Sequence, residues 1–103
     1  MVEMTLERAF DLFQVRGALE RLARPLAAEN VDQGTLDKIK KCLAQEIEAV
    51  EKGDLIAYSK FDYQFHALIY KMTGNVALDE MLDSVKTRTQ PVNMQIMPIL
   101  LNL

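Results

Sequence analysis

Asp62 and His66 are the two side chains of this sequence whose types and spacing best suit chemistry. They stand four residues apart, so in a helix both project from the same side. A carboxylate and an imidazole can bind a divalent cation such as Zn²⁺, Mn²⁺ or Ni²⁺, but two ligands do not fill a shell of about four to six. The alternative is a structural pair joined by a hydrogen bond. The spacing alone favours that alternative.

Arg16 and Tyr58 are candidate ligand-binding residues. The guanidinium of Arg16, next to the apolar Val15, presents a fork of donors that suits the carboxylate of an acidic effector. Its alternative role is a solvated ion pair with Glu20, one helical turn further on. The hydroxyl groups of Tyr58 and Tyr63 can also bond to an effector, although aromatic residues at helical spacing more often belong to the core. We expect Tyr63 to lie outside the site.

The composition is typical of one soluble, helical domain. The chain has 103 residues, half of them hydrophobic and 26% charged, with few glycines and prolines, which suits a single core. Its richness in Leu, Ala, Glu, Lys and Met favours helix over strand. The net charge of −3 opposes contact with a phosphate backbone, so we expect DNA binding to lie in another domain.

The single cysteine and the absence of long apolar runs indicate a cytoplasmic protein. Cys42 alone excludes an intrachain disulfide and a cysteine zinc cluster, and we expect it to fill space in a helix. The first residues lack a basic start followed by a long apolar run, so no signal peptide is expected. No stretch approaches the roughly 18 apolar residues of a membrane span.

Hydrophobic spacing predicts two helices in the first half of the chain. The first covers residues 6–29, and Pro25 is expected to bend it or end it early. The second follows a cap at Asp32 or Thr35 and ends at Gly53. The residues expected to face the core are Leu12, Val15, Leu19, Leu22 and Leu26 in the first helix and Leu36, Ile39, Leu43, Ile47 and Val50 in the second.

Two further helices are predicted in the second half. The third starts after the cap Asp54 and stops at Gly74, and the fourth covers about residues 76–89 before Pro91 interrupts it. Their inward residues are expected to be Leu55, Tyr58, Phe65, Ile69 and Met72, and Leu78, Met81, Leu82 and Val85. Because the connections are short, the fold class is predicted to be all-α, an antiparallel bundle of four to five helices.

The end of the sequence, PVNMQIMPILLNL at 91–103, is apolar and carries no charged residue. A soluble monomer rarely leaves a continuous apolar patch of this kind in water. We therefore expect this segment to be covered by further helices that complete the core, or by a partner chain.

Three stretches together resemble the FCD-type C-terminal domain of GntR-family (FadR-type) transcription regulators. They are DLFQVRGALERLARPLAAEN at 11–30, the second helix ending in EKGD, and FDYQFHALIYKMTGN at 61–75. The resemblance extends to about Arg88. It implies a helical bundle that binds a small organic acid or related metabolite, dimerises, and passes the binding event to an N-terminal winged helix-turn-helix.

Asp62 and His66 match two metal ligands of the family's metal-binding members, whose other ligands are two histidines from later helices. His66 is the only histidine here, and Gln14 stands where the family usually has Glu. Either the sequence stops before the helices that carry those histidines, or this member has lost the metal site. Because the end of the sequence is apolar and uncharged, we expect the first, so residues 1–103 are predicted to form an incomplete FCD-type bundle, without the DNA-binding domain and the last helices. We expect an inherited position for a divalent metal (Zn, Mn or Ni) at Asp62 and His66, with weak affinity.

The predicted function is effector binding and dimerisation in a bacterial transcriptional regulator that senses a small carboxylate, directly or through a metal. We expect a homodimer, contact with DNA only through the missing domain, and no membrane partner. The alternative is a stand-alone helical oligomerisation module without a ligand, whose apolar end packs against a twin chain. We do not expect an enzyme, because a single His without a nucleophile motif supplies neither a convincing general base nor a full metal shell.

Overall fold

The computed structural model describes the backbone of residues 5–101 and the side chains of residues 5–91, and residues 5–101 form four α-helices. They are α1 (Leu6–Glu29), α2 (Gln33–Glu51), α3 (Leu55–Met72) and α4 (Val76–Leu101). Short turns join them, and residues 5–101 contain no strand. The predicted all-α bundle is confirmed, with four helices.

Polar side chains cap the start of each later helix. Oδ1 of Asp32, Asp54 and Asn75 each accepts a hydrogen bond from the backbone N–H three residues further on, at 2.8, 3.1 and 3.0 Å. These bonds satisfy N–H groups that have no partner within the first helical turn. The caps predicted at Asp32 and Asp54 are confirmed.

Two glycines reverse the chain after α2 and α3. Gly53 and Gly74 have φ angles of 69° and 70°, in the left-handed region that other residues rarely adopt. Next to the second turn, Nδ2 of Asn30 donates to the backbone oxygens of Leu26 at 2.9 Å and Thr73 at 3.2 Å. The end of α1 is thereby joined to the end of α3.

Neither Pro25 nor Pro91 ends its helix. The predicted interruption of the fourth helix at Pro91 is therefore wrong, whereas the first helix has its predicted bounds and a bend at Pro25 stays a prediction. α1 continues beyond Pro25 to Glu29, and α4 continues beyond Pro91 to Leu101. A proline deprives the carbonyl four residues earlier of its partner. Those carbonyls belong to Arg21 and Thr87, which are both exposed, so water can replace the missing N–H.

The buried residues of α1 are alanines, and two of its large apolar residues are exposed. Ala9, Ala23 and Ala27 are buried, whereas Val15 and Leu22 are 47% and 52% exposed. The inward positions predicted at Val15 and Leu22 are therefore wrong. Alanine side chains allow α1 to lie close to α3 and α4, the helices it contacts. Among the described side chains, one apolar core cluster is formed by Ala23, Tyr70, Leu78 and Leu82, with Leu19, Leu26 and Ile69 packed against it.

α2 packs on α3 and on no other helix within residues 5–101. Ile39 and Ala49 are buried against α3, but Leu43 and Ile47 are 42% and 52% exposed, which corrects their predicted inward position. Met81 of α4 is likewise exposed rather than inward.

The side chains of residues 92–101, and residues 102–103 altogether, lie outside the described part of the chain. What covers the apolar end of the sequence stays a prediction. Among the helices of the described part, none has the length and apolar character that crossing a membrane requires.

Candidate functional site

A group of polar side chains lies inside the bundle where α1, α3 and α4 meet, and we call it the interior polar cluster. Lys86 and Thr89 of α4 are almost fully buried, with 1% and 0% of their surface exposed. The cluster consists of Arg16, Glu20, Asp62, His66, Tyr70, Lys86 and Thr89.

The Asp62 carboxylate contacts two side chains, the Lys86 ammonium and the His66 imidazole. One carboxylate oxygen is 2.8 Å from Nζ of Lys86, and the other is 3.4 Å from Nδ1 of His66. Nδ1 of His66 is also 2.9 Å from the backbone oxygen of Asp62. That oxygen can only accept, so this ring nitrogen carries the proton in the contact. Asp62 and His66 share one side of α3 as predicted, but Lys86 was missed.

Arg16 and Glu20 form the predicted ion pair, with Nε and Oε1 3.1 Å apart. Their side chains are only 13% and 22% exposed, so the pair is largely buried and not solvated as its alternative role required. Nη1 of Arg16 is 3.4 Å from Oγ1 of Thr89, and the Tyr70 hydroxyl donates to Glu20 Oε1 at 3.0 Å. Through these bonds, α1 is linked to both α3 and α4.

The electrostatics of the cluster keep Asp62 ionised and Tyr70 neutral. Burial alone would raise the pKa of Asp62, but hydrogen bonds and charges from His66 and Lys86 outweigh burial and lower it to about 2. Burial and the neighbouring Glu20 charge raise the pKa of Tyr70, so its hydroxyl remains a donor.

Glu46 of α2 is a further acidic group close to this site. Its Oε1 is buried and has no hydrogen-bond partner among the described residues. Burial, followed by the charge of Asp62, raises its pKa. Sequence reasoning missed Glu46, although it is spaced seven residues from Ile39 and three from Ala49, the buried residues of α2. A search of helical spacing that included polar residues would have found it.

Tyr58 is near the cluster but not bonded to it. Burial and the charges of Asp62 and Glu46 raise the pKa of its hydroxyl, which indicates that these groups are neighbours. Its hydroxyl makes no hydrogen bond within the described side chains. Tyr63 instead donates to Asp83 at the surface, at 2.5 Å, so its hydroxyl is not part of the interior polar cluster.

A cleft of about 210 Å³ between α1 and α3 connects the cluster to the surface. Three cluster members, Glu20, His66 and Tyr70, are among its lining residues. A larger groove of about 540 Å³ runs between α2 and α3, where Cys42 lies among exposed lysines. None of the interior polar cluster lines that groove, so we place the candidate site at the smaller cleft.

The same residues lie within a match to a known family. A family model described as the FCD domain matches residues 11–101. The chain belongs to the FCD domain family. This is the C-terminal effector-binding domain of GntR-family regulators, so the resemblance seen in the sequence motifs is confirmed. No curated protein and no solved structure matches the chain.

The described residues of this FCD domain do not by themselves form a metal shell. Asp62 and His66 are two donors, and no group of three or more His, Cys, Asp or Glu residues suited to a metal occurs in the described part. The Lys86 ammonium already contacts the Asp62 carboxylate. The metal position at Asp62 and His66 stays a prediction. Two donors next to an ammonium group do not fit the coordination of a divalent metal ion.

We predict that Asp62 makes the stability of this domain depend on pH. Its pKa falls from 3.8 to about 2 on folding, so the native state favours the ionised form. This shift contributes about 2 kcal/mol to the free energy of unfolding. The contribution is fully present above the pKa of the unfolded state, 3.8, and is lost as the pH falls through the pKa of the folded state, about 2.

Urea unfolding of the wild type and of Asp62→Asn, measured between pH 6 and pH 2, checks this prediction. In the variant, residue 62 carries an amide that does not titrate. The wild type should lose about 2 kcal/mol more than the variant across this interval. Equal losses in the two proteins would contradict the ion-pair role of Asp62.

Proposed function

We propose that this FCD domain binds a small organic anion at the interior polar cluster and that binding changes how its helices pack. The observation that carries the proposal is the burial of two ion pairs, Arg16 with Glu20 and Lys86 with Asp62, among three helices. Buried ions carry a desolvation penalty and add little to stability when compared with apolar packing. Such groups beside a cleft are typical of binding sites.

The anion is expected to act by exchanging partners within the cluster. Both cations, Arg16 and Lys86, are held by carboxylates of the chain itself, so an incoming carboxylate must replace Glu20 or Asp62. Replacing Asp62 breaks the ion pair that joins α3 to α4. Replacing Glu20 breaks a pair within α1 and frees the carboxylate that also accepts the hydrogen bond from Tyr70 of α3. A ligand that favours one arrangement of the helices in this way shifts the population towards it.

The groups around the cations narrow the chemistry of the effector. Glu46 Oε1, buried without a partner in the described part, needs a hydrogen-bond donor. The neutral Tyr58 hydroxyl can donate to an anion, and its raised pKa keeps it protonated. The site therefore suits a hydroxy acid or an amino acid better than a simple carboxylate.

The regulatory setting forms part of the same proposal. The FCD family is a family of regulatory domains and not of enzymes. We propose that the packing change is passed to an attached DNA-binding domain in a cytoplasmic regulator, and that this domain itself makes no contact with DNA. Its net charge of −3 supports that view.

A thermal-shift screen of hydroxy acids, dicarboxylates and amino acids, followed by calorimetry, tests effector binding. An acid present at 100 times its Kd should stabilise the folded state by about 2.7 kcal/mol. Arg16→Gln should weaken its binding at least about ten-fold because the guanidinium fork is lost. The matched control is Arg21→Gln, an exposed arginine of the same helix, which should bind as the wild type does.

Two results would contradict effector binding at this cluster. One is that no acid in the screen stabilises the protein. The other is that an acid binds equally well to the wild type and to Arg16→Gln.

A second candidate function, helical oligomerisation without a ligand, is supported by apolar side chains at the surface. Leu43 and Ile47 are exposed on α2, and Val15 and Leu22 on α1. α2 has no neighbour except α3 in the described part. A homodimer that covers the outer face of α2 would bury Leu43 and Ile47.

Light scattering at about 100 µM protein, a concentration suited to a dimer of micromolar Kd, tests this second candidate. The measured mass of the wild type should be about twice the chain mass of 11.7 kDa. Ile47→Lys should lower the measured mass towards that of the monomer. Thr87→Lys adds the same charge to an exposed position of α4 and should leave the dimer intact. A monomeric wild type would exclude the oligomerisation function.

A further inference from the structure

Lys86 is the one charged residue that is fully buried within the described side chains, with 1% of its surface exposed. It projects from α4 towards α3, and its Nζ lies 2.8 Å from Oδ2 of Asp62. Asp62 is its only ion-pair partner in the described part of the chain. The carboxylate that would hold a metal is thus already neutralised by the protein itself.

A divalent metal and the Lys86 ammonium would compete for the same carboxylate. A metal such as Zn²⁺ binds carboxylate oxygens at about 2.0–2.2 Å. A metal on Asp62 would therefore lie within roughly 5 Å of Nζ, where two cations in a buried site repel strongly. The present position of Lys86 is compatible with one cation on Asp62, not with two.

His66 is also arranged as a donor to Asp62 and not as a metal ligand at Nδ1. This nitrogen is 2.9 Å from the backbone oxygen of Asp62 and 3.4 Å from its carboxylate. An imidazole nitrogen that donates a proton has no lone pair for a metal. Nδ1 is therefore occupied by Asp62, and Nε2 is the ring nitrogen that remains for a metal.

We propose that the Lys86 ammonium takes the place of a divalent metal at Asp62 and His66, so that the site contains its own cation. This inference deepens the proposed function, on which it rests for the identity of the site, because an organic anion would then meet an ammonium and no metal is required. The test uses metals alone. A failure to find an effector therefore does not alter its result.

Calorimetric titration of the full chain with Ni²⁺ and Mn²⁺, without affinity tags, tests the proposal. The wild type should bind neither metal more tightly than a Kd of about 100 µM. Lys86→Met removes the charge at similar length and frees Asp62, so it should bind Ni²⁺ at least about ten-fold more tightly. The double variant with Asp62→Asn should lose that gain. Lys86→Arg keeps the charge and should bind as weakly as the wild type.

Two results would overturn the proposal. The first is stoichiometric Ni²⁺ binding by the wild type at low micromolar Kd that Asp62→Asn removes. The second is equal binding by the wild type and a folded Lys86→Met. Circular dichroism establishes whether that variant folds. If it does not, weak binding by both the wild type and Lys86→Arg supports the proposal, and tight binding by the wild type overturns it.

Discussion

The ion pair between Lys86 and Asp62 is the interaction on which the arrangement of this FCD domain depends. A buried ammonium that loses its carboxylate keeps its desolvation penalty without compensation, so α3 and α4 must hold these two groups together. Asp62 also receives the contact from His66, one turn further along α3. One carboxylate therefore fixes the distance between two helices, the orientation of an imidazole and the charge at the centre of the site.

α1 is adapted to this polar centre more than to an apolar core. Its buried residues are alanines, which bring the helix backbone close to α3 and α4 and allow Arg16 and Glu20 to reach them. Tyr70 connects the two regions, because its ring belongs to the apolar core while its hydroxyl bonds to Glu20. Core packing and the binding site are thus coupled through shared residues. A ligand that exchanges partners in the cluster must change helix packing as well.

Local features of the sequence predicted the helices well, whereas features that depend on tertiary contacts were missed. Asp54 and Gly53 mark helix ends through bonds and angles within a few residues, and Asp62 with His66 needed only helical spacing. Lys86 is 24 residues from Asp62 in sequence, and no local pattern indicates that the two meet. The apolar stripe of α1 was misplaced at Val15 and Leu22 because hydrophobic spacing counts large apolar residues and ignores alanine and buried charge.

A double-mutant cycle on Asp62→Asn and Lys86→Met, followed by chemical denaturation at neutral pH, tests the central claim most directly. Each single variant leaves one buried group unpaired and should lose about 3–5 kcal/mol of unfolding free energy. The double variant removes both partners, so its loss should fall short of the sum of the two by at least about 2 kcal/mol. Losses that add within about 0.5 kcal/mol would show that the two side chains are not coupled, and would contradict the account.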